Sequence, residues 1–194
     1  SSDALFNAEL IAGRSTSTIE GGLSGEIYQY DGPFSVTGST RVKARVLVPG
    51  NTYSPWSGLA EAVFAVGPVA ENLRISEIMY HPADPNTEFI ELTNIGAETV
   101  NLNLVTFTDG VEFTFPSVEL APAEYVLVVE DPNPFEAKYG PGLPIAGAYA
   151  GSLSNSGEQI EFQDAAGQTI QSFRYRDGWH HTTDGEGFSL TVKD

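Results

Sequence analysis

The 194-residue chain carries 26 acidic against nine basic side chains, a formal charge of −17, and 41% of its residues are hydrophobic. That apolar share suffices for a buried core and the charged share is too low for a disordered, self-repelling chain, while the negative excess argues against phosphate-backbone binding, which needs Lys and Arg to displace counterions. No run approaches the roughly 20 apolar residues of a membrane-spanning helix, and the lack of cysteine excludes disulfides, thiolate metal sites and cysteine nucleophiles.

Residues 1–25 are small, polar and glycine-rich, and are expected to be weakly ordered. ALFNAELIAG has the pattern of a short helix or strand, followed by the loop RSTSTIEGGLSG. From Glu26 three strand-like runs follow, EIYQYDGPFSV, STRVKARVLV and LAEAVFAV, with breaks at Asp31-Gly32-Pro33 and between Pro49 and Gly58. Val42, Ala44, Val46 and Val48 alternate with Arg41, Lys43 and Arg45, the pattern of a half-buried antiparallel strand with a basic outer stripe. Gly67 to Asn72 reads as a short linker, so residues 1–68 form a smaller β module and 69–194 a second domain. The charge divides unevenly: residues 69–194 hold 5 basic and 20 acidic side chains, a balance of −15.

The second domain opens with LRISEIMY and TEFIELTN around a proline-marked loop, His81 to Asn86. Alternation places Ile90 and Leu92 on one face and Phe89, Glu91 and Thr93 on the other. Val100, Leu102 and Leu104 are expected to share a face, and Asp109-Gly110 signals a hairpin. YVLVV (125–129) is apolar on both faces, as a central strand requires. Asp131, two prolines and Gly140 bracket a short helix. EQIEFQD and QTIQSFRYR form a further hairpin, and GFSLTV supplies the last strand. Short strands at this spacing specify a β-sandwich.

ISEIMYHP followed by EFIELTN, then FTFPS, LAPAEYVLVVED, FEAKYG, GSLSNSGEQIEFQDAAG and GEGFSLTV, resembles a bacterial lamin-tail domain over Leu73 to Val192. The resemblance implies an all-β, immunoglobulin-like sandwich. YDGPFSV, STRVKARVLV and WSGLAEAVFAV resemble the second half of a chitobiase C-terminal-like, fibronectin-III-associated module, whose usual front hairpin is missing from residues 1–25. Both families occur as accessory parts of large extracellular proteins. The resemblances therefore imply a non-catalytic structural or protein-interaction module of a secreted or cell-surface bacterial protein. The alternative is a carbohydrate-binding accessory domain of an extracellular enzyme. The implied partners are the parent's other domains and a protein or glycan ligand, with no nucleic acid and no membrane span. Eukaryotic lamin tails are associated with chromatin, but the charge argues against carrying that over. The start at Ser1 lacks a basic-then-apolar secretion signal, the pattern of a mature form or an excised piece.

No catalytic, cofactor or metal residue is assigned. His180 and His181 are adjacent and point apart in an extended chain, and His81 lies in another loop, so a zinc set does not emerge. Ser152, Ser154 and Ser156 in GSLSNSG lack a nucleophile elbow. Glu77 and Glu91 fall on strands, where an inward carboxylate needs backbone amides or Arg74, Arg174 or Arg176 as partner; the alternative is a pair for acid–base work. Asp84, Glu88, Asp109, Asp131, Asp164, Asp177 and Asp184 lie near turns, making Asp84 and Asp184 candidates for calcium, although no DxDxDG loop is present. Trp56 and Trp179 are the candidates for stacking on sugars, with Tyr53 and Tyr175 as further loop or edge aromatics; the plainer role of such residues in a β-protein is to cover the core at the ends of the sandwich.

Overall fold

The computed structural model describes residues 30, 32–33, 35–47, 53 and 56–192. The segment 1–25, with its expected helix or strand, lies outside the described residues, as does part of the first strand-like run. The chain divides into two compact units, Ser1–Val66 and Gly67–Asp194.

In the first unit β1 (Thr40–Ala44) pairs antiparallel with β2 (Ala60–Phe64), Val42 opposite Ala62. Arg41 and Lys43 alternate outward as their spacing requires, and both meet Glu61, at 3.3 and 3.7 Å. The basic stripe is thus partly neutralised by the facing strand.

The second unit begins with structure inside the stretch read as a linker. Val69–Asn72 form a helical turn, α1, whose Val69 and Ala70 are buried in the main core. Those residues were expected to be a linker; their apolar side chains have core to fill, and burial decides.

Three strands organise the rest: β3 (Leu73–Met79), β4 (Phe89–Asn94) and, after β5 (Val100–Asn101), β6 (Thr106–Asp109), β7 (Phe113–Thr114) and β8 (Glu119–Leu120), the strand β9 (Tyr125–Val129). Helix α2 (Pro132–Tyr139), β10 (Ile145–Ala148), β11 (Gln159–Gln163), β12 (Thr169–Arg174) and β13 (Leu190–Thr191) complete the chain. One sheet runs β10-β9-β4-β3-β13 and the facing one β12-β11-β6-β7, with β5-β8 as a separate pair. Only β10 pairs parallel among these ladders, against β9. The architecture is an immunoglobulin-like β-sandwich.

Between the sheets lies one core. Leu73, Ile75, Ile90, Leu92, Val126 and Val128 come from the larger sheet and share the core with Phe107, Ile160 and Phe162 from the smaller and with Phe115 just after β7. The alternate residues of the same strands, Met79, Phe89, Leu127 and Val129, face outward under α2 and bury Phe135. This double burial explains why YVLVV is apolar at 126–129 on both faces. Phe135 carries α2: the helix is short, and its Asp131 cap (bonded by Asn133 N at 3.0 Å) and Gly140 stop fix only its ends. Phe135→Ala would cost about 3–5 kcal/mol by cavity formation and release the helix.

One expected alternation fails. Leu104 adopts a left-handed φ of 66°, which breaks the strand and turns Val105 inward in its place. The segment GSLSNSG is a turn that buries Leu153.

Candidate functional site

The loop after β3 and the segment before β13 form one end of the second unit. Two 3-10 turns, Asp177–Trp179 and His181–Thr183, shape the latter segment. His81 Nδ1 and Asp184 Oδ1 lie 2.6 Å apart, Gly185 N donates to His81 O at 3.1 Å, and the buried Tyr80 hydroxyl meets Thr183 Oγ1 at 3.1 Å. Further along, Ser189 Oγ donates to Glu77 Oε1, and Val192 N donates to Ser76 O at 2.9 Å. The segment 177–192 thus straps the loop and closes the free edge of β3, an edge that would otherwise invite pairing with another chain.

The same unit holds a group of buried or partly buried carboxylates. Glu88, nearly buried, accepts from Leu153 N at 2.8 Å and from the Tyr149 hydroxyl at 3.0 Å, both on Oε2. Burial pushes its pKa up, against the lowering effect of those two hydrogen bonds, and the charges of Glu130 and Glu158 push it the same way as burial. Glu130 carries a buried Oε2 with no hydrogen-bond partner among the described residues. Glu158 Oε1 accepts from Ser154 N at 2.6 Å and from the Tyr175 hydroxyl at 3.1 Å. Burial raises the pKa of Tyr149 and Tyr175, with Glu88 and Glu158 respectively adding to it, so both phenols stay protonated donors. Tyr175, just past the end of β12, is fully buried against Tyr80 with ring centroids 4.9 Å apart, covering the core. It is positioned where Gly157 takes a φ of 92°; a Cβ there would stand 2.4 Å from Tyr175 O.

The residues singled out by sequence are mostly tied to structure. Asp84 pairs with Lys138 at 3.0 Å and Asp184 with His81, in adjoining loops. Burial would lower the Lys138 pKa, but its bonds to Asp84 and Tyr139 outweigh that and raise it. Asp109, Asp131, Asp164 and Asp177 each accept backbone N–H groups of their own turns. Among the described residues no three His, Asp or Glu side chains are grouped to hold a metal ion. Glu77 and Glu91 stand directly opposite each other across β3–β4. Their hydrogen-bond donors are hydroxyls, Ser189 for Glu77 and Ser76 for Glu91 at 2.6 Å, where backbone amides or arginines were expected. The register shift between Ile75 and Glu77 brings Ser76 to that place. Ser154 Oγ accepts from Ser156 N at 3.3 Å, a turn contact. Trp179 is half exposed on the strap, and Trp56 is half exposed in the first unit, bridged to Leu47. Tyr53 is fully exposed.

Sequence reasoning missed one feature. Val118, Leu120, Val126 and Pro144 floor an open groove of about 370 Å³, beside Ala123 and Tyr125, with Glu119 and Glu124 on its walls. It forms because Ala123, at a φ of 62°, turns the chain tightly between β8 and β9, while Pro144 arrives from the connection before β10. Both carboxylates are held: Glu119 Oε1 by Asn101 Nδ2 at 2.5 Å, Glu124 Oε2 by Ala121 N at 2.9 Å. The only cue in the sequence is the odd exposed aromatic at the head of an otherwise buried strand.

Residues 67–177 match the family model of the Lamin Tail Domain. The match does not reach the N-terminal unit, and the resemblance of that unit to a chitobiase-like, fibronectin-III-associated module is not supported. No curated protein and no solved structure matches the chain. The strap after Asp177 lies beyond the matched residues, yet β13 completes the same sheet. With more than half of its length matched and the sandwich in place, the chain belongs to the lamin tail domain family.

Proposed function

We propose that this chain is a structural or protein-interaction module of a larger secreted or cell-surface bacterial protein, binding other domains of that protein or a separate protein partner. The lamin tail domain is a non-catalytic, immunoglobulin-like interaction domain, which supplies the coarse part of this reading. One observation carries the rest. The side chains with chemical potential, Glu88, Glu158, Asp184 and His81, are engaged with partners inside the fold, whereas the groove along β8 and β9 is open. Residues 69–194 act in this reading as a self-contained domain and residues 1–68 as its smaller β companion. A glycan-binding accessory role is the second reading, favoured by the half-exposed Trp179.

The test uses the parent gene product with residues 67–192 deleted. The proposal expects the parent to lose its retention in its surface or extracellular assembly while any catalytic activity of its other domains persists. Turnover by the 194-residue chain in a phosphatase, nuclease and esterase screen would overturn it. A glycan-array signal abolished by Trp179→Ala would favour the second reading.

A further inference from the structure

We infer that the groove along β8 and β9 docks an extended, lysine- or arginine-bearing segment of a partner protein, an assignment that rests on the interaction-module reading above. The chemistry of the groove is amphipathic in a particular way. Its floor, Val118, Val126 and Pro144, is apolar, and its walls carry Glu119, Glu124 and the exposed ring of Tyr125. A lysine or arginine side chain has the matching design, an aliphatic stem that lies on apolar surface under a charged head. The carboxylates accept the head and the tyrosine face adds a cation–π contact. Among the described residues no lysine or arginine lines the groove, so within them its glutamates meet no lining cation.

Preorganisation strengthens the assignment. Each carboxylate spends one oxygen on a donor of the fold, Asn101 Nδ2 for Glu119 and the Ala121 amide for Glu124, which fixes the side chain. In this assignment the second oxygen of each meets the cation. Ordering these groups on binding therefore costs less than for free surface glutamates. The surrounding charge favours the same partner: residues 69–194 carry 20 acidic and 5 basic side chains, a field that attracts a basic segment and repels an acidic one. The groove is built within one unit, with residues on β8, on β9 and before β10.

The experiment is fluorescence anisotropy with the 194-residue chain and a labelled Lys-Val-Lys-Val-Lys-Val peptide. Its Glu-Val counterpart and spermine, a free polyamine, are the other arms. The expected result is saturable binding of the Lys-Val peptide alone. It should weaken about tenfold in the double variant Glu119→Gln/Glu124→Gln, the scale of losing two charged contacts. Both variants keep an acceptor oxygen for Asn101 and Ala121, so the local fold is preserved. The double variant Glu136→Gln/Glu186→Gln removes the same charge from exposed positions elsewhere and should change binding less than about twofold, as expected of remote surface charges. Equal weakening by the two double variants would overturn the assignment, because the net field alone would then explain binding. Spermine binding with the same dependence on Glu119 and Glu124 would overturn it in favour of a free polyamine. Absence of peptide binding would also overturn it; the module reading falls separately, on turnover by the chain or an unchanged parent after deletion.

Discussion

His81 and Asp184, 103 positions apart in the chain, meet at 2.6 Å and fasten the strap to the loop that follows β3. Both side chains are partly exposed, so solvent screens the pair and it contributes only about 0.2–1 kcal/mol. Its effect is expected to be local. His81→Ala should leave the global melting temperature within a few degrees while amide exchange at Gly185 and Val192, whose N–H groups bond His81 O and Ser76 O, accelerates. Unchanged exchange at both amides would show that Tyr80–Thr183 and Ser189–Glu77 hold the strap alone.

The strap also marks where sequence reading succeeded and where it stopped. The Asp109-Gly110 hairpin, the Asp131-capped helix ending at Gly140 and the strands 73–79, 89–94 and 159–163 were legible because each is fixed by local chemistry. Leu104 was misplaced because its left-handed backbone breaks the alternation on which the reading depended. Tyr175 lies just past the end of β12 and covers the core there, but its acceptors, Glu158 and Ser154 O, are distant in sequence and were not legible. The partners of Glu77 and Glu91 were missed for a similar reason: a β-bulge and a hydroxyl more than a hundred residues away decide them. The groove was not read, since its floor joins Val118, Leu120 and Val126, which look like ordinary core, to Pro144 from a separate connection, and its one cue is the exposed Tyr125.

Glu88 gives a prediction whose sign depends on pH. Its folded pKa is raised above the ordinary 4.5, chiefly by burial, so the folded state binds its proton more tightly than the unfolded state. The stabilising contribution is fully present below the ordinary value and is lost as pH rises through the raised value. Glu88→Gln keeps an acceptor for Leu153 N and Tyr149 while removing the charge. It should therefore melt higher than wild type at pH 7–8, with the advantage shrinking towards pH 4.5. A difference independent of pH would contradict the burial of a charged Glu88. Glu88→Ala, which strands both donors, should instead destabilise by about 1–3 kcal/mol.

Divalent ions are expected to act by screening. Asp84 and Asp184, the calcium candidates, already hold Lys138 and His81 as partners. Calcium and magnesium should raise the melting temperature alike, and sodium chloride at sufficient strength should reproduce the effect. A saturable calcium shift that survives high salt and vanishes in Asp84→Asn or Asp184→Asn would establish a specific site.

Nucleic acid should not bind near physiological salt. The chain carries −17, and phosphate contacts depend on lysine and arginine releasing counterions. A micromolar gel shift that weakens steeply with added salt would contradict this.

The most direct test of the account is an amide chemical-shift map of the 194-residue chain titrated with the Lys-Val peptide. The account predicts perturbations confined to residues 118–126 and 143–145, which line or adjoin the groove, with the strap unmoved. Perturbations centred instead on Trp179 to Asp184, or on Glu88 and Tyr149, would place binding away from the groove and contradict it.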